Sequence, residues 1–153
     1  MKTLKLGMLT ATLLLAGTLG IGTLAPATPV KASAKDIECL ARNIYHEARG
    51  ESLEGQLAVA QVTLNRVQSP RYHSSVCGVV YAHRQFSWTL DKHKRVRDAK
   101  AWRAALDISR AVLTKSIDLS EFSATHFHTT AIKPYWTKTK TRVAVIGNHV
   151  FYS

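Results

Sequence analysis

Asp36-Ile37-Glu38-Cys39-Leu40-Ala41-Arg42-Asn43-Ile44-Tyr45-His46-Glu47-Ala48-Arg49-Gly50-Glu51 is the stretch on which the fold turns. Its apolar residues Ile37, Leu40, Ala41, Ile44 and Ala48 recur at the offsets of one helical face, Asp36 offers a cap and Gly50 a stop. At about 100° per residue, with Leu40 at zero, the buried centre lies near roughly +60° and Glu47 near roughly −20°. Glu47 therefore borders the apolar face, with Asn43 one turn before it on the same side. Such a position half-desolvates a carboxylate, and desolvation raises its pKa. A carboxyl kept protonated near neutrality is what glycosidic cleavage needs at the leaving oxygen. On the wheel alone, an ordinary boundary acid paired with Arg49 or Arg66 fits Glu47 as well.

Outward from this stretch, Ser52 caps a second helix through Leu57, Val59, Val62, Leu64 and Val67. That helix is apolar nearly all round and belongs in the centre of the core. Ser69-Pro70 ends it. A short helix is expected over residues 75–82, then a polar, basic and irregular loop over 83–97. Asp98 caps a further helix through Trp102, Ala105, Leu106, Val112 and Leu113. Residues 125–129 alternate like a strand. Residues 142–152 read as a hairpin whose two-residue Gly147-Asn148 turn suits type II′. The pattern is α+β, mainly helical, in a single domain with a small C-terminal antiparallel sheet.

Tyr45-His46-Glu47-Ala48-Arg49-Gly50-Glu51, then Gly55-Gln56, Ala58-Val59-Ala60 and Leu64-Asn65-Arg66-Val67 follow in order. With Val76-Cys77-Gly78-Val79-Val80, Gln85-Phe86-Ser87-Trp88 and Ile146-Gly147-Asn148-His149-Val150-Phe151-Tyr152, they closely resemble the bacterial cell wall hydrolase family, which includes the spore-cortex-lytic enzymes. The resemblance runs over residues 38–152 and implies a lysozyme-like domain acting on peptidoglycan glycan strands. It also implies cleavage of the lytic transglycosylase kind, with Glu47 in the position of the catalytic glutamate.

Other residues carry weaker signals. Glu51 is a candidate second carboxylate, since hydrolysis by inversion or retention normally uses two; the competing role is a structural tie to Arg49 or Arg66. Phe86, Trp88, Tyr135 and Trp136 are candidates for an aromatic groove wall against sugar faces, or for a small core beneath long loops. Gln85 and Ser87 are candidate hydrogen-bonding partners of the substrate. Gln61 and Asn65 either fix the catalytic helix or bind a sugar. His126 and His128 alternate on one strand face and could hold a metal with a third ligand. His46-Glu47 opens a zinc-protease word, but Gly50 stands where its second histidine belongs. The reading therefore calls for neither metal nor cofactor. Thr137, Lys138, Thr139, Lys140, Thr141 and Arg142 alternate, and if extended form a cationic edge.

The beginning of the chain reads as a secretory signal peptide over residues 1–34. Lys2 and Lys5 precede an uncharged run over residues 6–25, Pro26 and Pro29 break it, and Ala32-Ser33-Ala34 supplies a cleavage site. The catalytic domain is then residues 35–153, without a stable membrane anchor after cleavage. The segment removed carries Lys2, Lys5 and Lys31 and no acid, so the formal charge falls from +11 to +8. That surplus suits the carboxylates and anionic polymers of a cell envelope. In an oxidising compartment Cys39 and Cys77 are expected to be bridged. Two rival functions remain. A peptidoglycan-binding module without activity does not need the Glu47 word, and a secreted nucleic-acid-binding protein uses the charge but leaves that word unexplained. Nucleic acid is accordingly not an expected partner.

Overall fold

The computed structural model describes residues 32–91 and 93–153. Most of the expected leader, up to residue 31, lies outside them. Helix α1 spans Ala34–Ala48. Its cap is Ser33 rather than Asp36: the Ser33 hydroxyl accepts the Asp36 N–H at 3.0 Å and donates to the Asp36 carboxylate at 2.7 Å. Asp36 thus sits in the first turn, where the helix dipole favours an acid. The helix reaches back across Ala34, so the expected cleavage after Ala34 would remove its cap.

The other helices begin where their caps predict. Helix α2, Leu53–Gln68, starts at Ser52, and α3, Val76–Val80, at Ser75. Helix α4, Ala99–Leu113, starts at Asp98, whose carboxylate accepts the Lys100 and Ala101 N–H groups. Helix α1 packs on α4, α2 and α3 around Leu40, Ile44, Ala60, Val80 and Ala105. A second cluster joins Ala48 and the far side of α2, through Val59 and Val62, to Ala124 and Phe151. Helix α2 is apolar nearly all round because it is covered from two sides.

Polar ties fix how these helices sit. Asn43 is fully buried; its amide donates to Thr63 Oγ1 at 3.1 Å and its carbonyl accepts the Trp88 indole N–H at 3.3 Å. Asn65 donates to the Phe122 and Ala124 carbonyls at 2.6 and 2.8 Å, and its own carbonyl accepts from Gln61 at 2.8 Å. Gln61 and Asn65 therefore hold the approach to the sheet, and the tie to the catalytic helix expected of them is made instead by Asn43 and Thr63. Cys39 and Cys77 form a disulfide joining α1 to α3.

Three antiparallel strands follow, β1 His126–Thr129, β2 Arg142–Ile146 and β3 His149–Tyr152, in the order β1-β3-β2. Gly147 has φ of +53° whereas Asn148 keeps a negative φ, which separates the II′ turn from type I′. The basic loop is not wholly irregular, since Ser87–Leu90 forms a 3₁₀ turn. Nor is the lysine–threonine alternation extended: Tyr135–Thr139 coils into a second 3₁₀ turn after Pro134. The expected cationic edge is lost there.

Candidate active site

Glu47 is the last residue but one of α1 and is half-buried, as its place on the wheel requires. Among the described residues it accepts no hydrogen bond and joins no ion pair, so the pairing with Arg49 or Arg66 weighed above is absent. Burial pushes its carboxyl above the ordinary 4.5, against the opposing pull of the Arg66 and Lys94 charges. The negative end of α1 acts in the same direction as burial. Arg66 is itself buried, its Nε–H donating to the Thr125 carbonyl at 2.7 Å and its guanidinium lying between the Tyr72 and Phe86 rings. Among the described residues its Nη1 has no hydrogen-bond partner. A fixed cation thus stands within Coulomb reach of Glu47 without neutralising it.

Glu51 has a different environment. Its carboxylate accepts the Asn148 backbone N–H at 3.0 Å and the Asn148 side-chain amide at 3.1 Å. His149, buried beneath it, approaches to 4.0 Å. The Asn148 backbone bond is the main reason its carboxyl lies below the usual value. Glu51 ties the α1–α2 junction to the hairpin turn, not to Arg49 or Arg66. Glycines make room for it on both sides. A Cβ on Gly55 would lie 2.9 Å from Glu51 Cβ, and one on Gly147 would collide with the Glu51 carboxylate.

The four aromatic candidates separate into two pairs. Phe86 and Trp88 are buried, at 4% and 7% exposure, and belong to the core rather than to an open wall. Trp88 stacks on His46 with centroids 4.5 Å apart, and through Asn43 and His46 it braces the helix turn that carries Glu47. Alternation explains the placement: Phe86 and Trp88 point inward, leaving Ser87 exposed and Gln85 half-exposed. Tyr135 is 81% exposed, and half-buried Trp136 covers the sheet face formed by His126, His128 and Tyr152.

Both strand histidines do share a face, but the Trp136 ring lies against it. His126 bonds to Thr125 Oγ1 and burial lowers its pKa to about 4; His128 bonds to the Tyr152 hydroxyl at 3.2 Å. Among the described residues no three His, Cys, Asp or Glu side chains converge as a metal site requires. Tyr45 and Tyr72 carry no distinct signal in the sequence, and Arg66 enters it only as a candidate ion partner of Glu47 or Glu51. Arg66 was detectable as a charged residue on an otherwise apolar helix.

The fold, with its helical core and small sheet flanking half-buried Glu47, is of the lysozyme-like α+β class. Residues 50–152 match the cell wall hydrolase family model, and the chain belongs to that family. The match begins three residues beyond Glu47. Among relatives, the chain is 33% identical over 133 residues to the spore cortex-lytic enzyme of Oceanobacillus iheyensis, covering 85% of this chain and 46% of that protein. It is 33% identical over 122 residues to that of Bacillus subtilis, covering 78% and 38%. The chain thus spans less than half the length of these relatives. Two solved structures are similar. The catalytic domain of the Bacillus cereus SleB protein has a TM-score of 0.64 at 31% identity, over 82% of this chain and 94% of that one. The catalytic domain of the germination-specific lytic transglycosylase SleB from Bacillus anthracis has a TM-score of 0.65 at 30% identity, over 82% and 100%.

Proposed function

We propose that this chain is an exported peptidoglycan glycosidase of lytic transglycosylase or muramidase type. It cuts the bond between N-acetylmuramic acid and N-acetylglucosamine, with Glu47 as general acid and then base. The observation that carries this reading is Glu47 itself: a half-buried carboxyl without a partner among the described residues, at the negative end of a helix, with burial raising its pKa above the ordinary value. Protonated, it gives its proton to the leaving glycosidic oxygen. As carboxylate, it then takes a proton from whichever hydroxyl captures the sugar cation. If the capturing group is the substrate's own hydroxyl, one acid completes the cycle. Glu51 favours that route, since both its oxygens are already engaged by Asn148 and neither is free to activate a water or attack the sugar.

Tyr135 and Trp136 serve as the aromatic surface against sugar rings, with Gln85 and Ser87 as polar contacts beside the buried Phe86–Trp88 brace. The domain is residues 35–153, released from a signal peptide over residues 1–34 into the envelope. The test is Glu47→Gln, which keeps shape but removes the transferable proton. Release of muropeptides from purified sacculi, followed by mass spectrometry, should fall about 10² to 10⁴-fold. Folding and sacculus binding should change little. Near wild-type release by Glu47→Gln refutes the assignment, and anhydro-ended or reducing-ended products distinguish transglycosylation from hydrolysis.

A further inference from the structure

Next to the turn that carries Glu47, the C-terminal end of α1, Asp91 and residues 93–97 border an open cavity of about 390 Å³. Its walls include Tyr45, His46, Arg49, Lys94, Arg95 and Arg97. Specific bonds hold this shape. The Tyr45 hydroxyl accepts the backbone N–H groups of Arg97 and Asp98, each at 3.0 Å, pinning the basic segment to α1. Arg49 donates to the Tyr45 carbonyl at 3.3 Å and its guanidinium lies over the Tyr45 ring at 5.1 Å. Asp91 also borders the cavity, but one of its carboxylate oxygens accepts the His93 N–H at 2.8 Å.

Among the described residues, Arg49, Lys94, Arg95 and Arg97 take part in no ion pair. Arg42 and Arg110, by contrast, are each matched by an acid on their own helix. Four cations around one cavity repel one another, and an anion placed among them relieves that repulsion. His46, which lines the same cavity, has a buried Nε2 with no hydrogen-bond partner among the described residues. Lys94 is also within Coulomb reach of Glu47, so the cavity adjoins the reacting centre.

We infer that this cavity is a subsite for an oxyanion carried by the glycan strand beside the bond to be cut. Resting on the glycosidase reading above, the inference adds a substrate requirement: strands bearing anionic substituents are preferred over neutral ones. The oxyanion is either a carboxylate of a peptide stem or a phosphodiester of an attached wall polymer.

The test compares the wild type with Lys94→Gln/Arg95→Gln/Arg97→Gln, all exposed side chains whose loss leaves the core intact. The control is Lys35→Gln/Lys100→Gln/Arg103→Gln, which makes the same charge change elsewhere on the surface. Sedimentation with purified sacculi reads binding, and muropeptide release reads KM and kcat. Binding and KM should worsen roughly tenfold in the cavity variant and by less than about twofold in the control. In the cavity variant kcat should change much less than KM, and only as far as loss of the Lys94 charge shifts the Glu47 pKa upward. If amidating the sacculus carboxylates with methylamine erases the difference between wild type and cavity variant, the anion is a carboxylate. If removing phosphodiester polymers with hydrofluoric acid erases it, the anion is a phosphate. The inference is overturned if the control loses as much binding as the cavity variant. It is equally overturned if the cavity variant's defect persists on sacculi given both treatments. Should the triple variant melt early, Arg95→Gln alone repeats the comparison on a smaller scale. Charge-dependent binding without muropeptide release refutes the glycosidase reading and leaves the anion site, whereas release indifferent to these charges refutes the site and leaves the glycosidase.

Discussion

Replacing Glu51 by alanine removes two charge-assisted hydrogen bonds to Asn148 and unties the hairpin turn from the junction of α1 and α2. Because Asn148 is exposed, its freed donors regain water. The loss should therefore be about 2 kcal/mol for the pair of bonds, toward the low end for charged groups. Gly147→Ala acts on the same contact from the other side. Placing a Cβ at φ of +53° costs about 1 kcal/mol. The new methyl also displaces the Glu51 carboxylate, forfeiting the same bonds and bringing the total to about 3 kcal/mol. In the double variant the carboxylate is already absent, so only the backbone strain adds to the Glu51 loss. The double variant should thus also lose about 3 kcal/mol, where independent effects would give about 5. Urea unfolding of the four proteins measures this coupling. Acid supplies a second check. Glu51 has a lowered folded pKa, so its stabilisation is complete above the ordinary 4.5 and is lost as the pH falls through the folded value. The wild type and Glu51→Ala should accordingly converge in acid. Losses additive to within about 0.5 kcal/mol, or a gap that widens in acid, refute the reasoning.

Reducing the Cys39–Cys77 bridge, or replacing both by serine, should lower stability by roughly 4 kcal/mol in the loop-entropy account; equal urea midpoints with and without reductant contradict this. The raised pKa of Glu47 sets the direction of the pH profile for cleavage. The acid form is active, so kcat should fall as the pH rises through a value above 4.5, and an alkaline limb at or below 4.5 contradicts the desolvated acid. Trp88→Ala opens the core and should cost about 3 to 5 kcal/mol. Trp136→Ala should weaken sacculus binding with a smaller loss of stability, and the reverse ranking in melting temperature argues against the division into brace and wall.

Local chemistry made the helices and the hairpin legible. Ser52, Ser75 and Asp98 cap where a short acceptor side chain precedes an apolar periodic run, and Gly147 marks the turn that needs a positive φ. The start of α1 was misplaced because Ser33 and Asp36 are both competent caps, and their spacing makes a reciprocal pair with Ser33 outermost. Glu47's half-burial was readable from the wheel, since helical geometry alone determines it. Its lack of an ion partner was not, because Arg49, two residues on, and Arg66, on the next helix, both bond to backbone carbonyls instead. Trp88 misled because a polar, basic context suggests a loop surface. The side chain that decides its position, Asn43, is 45 residues away. The partner of Glu51 was out of reach for the same reason, lying 97 residues further along the chain.

The strand order has a consequence for how the molecule is made. Strand β3, nearest the C-terminus, lies between β1 and β2 and is buried along its whole length. Neither outer strand has a neighbour until β3 arrives, and His126 must wait for Tyr152. A chain emerging N-terminus first, from a ribosome or an export channel, can gather α1 to α4 early. Phe151 then closes the second core cluster only after residues 149–152 have emerged. Until then, the far side of α2 is uncovered and Glu51 has no turn to hold. A domain built this way completes its scaffold only once residues 149–152 have emerged, so a chain stalled or clipped before them lacks the sheet.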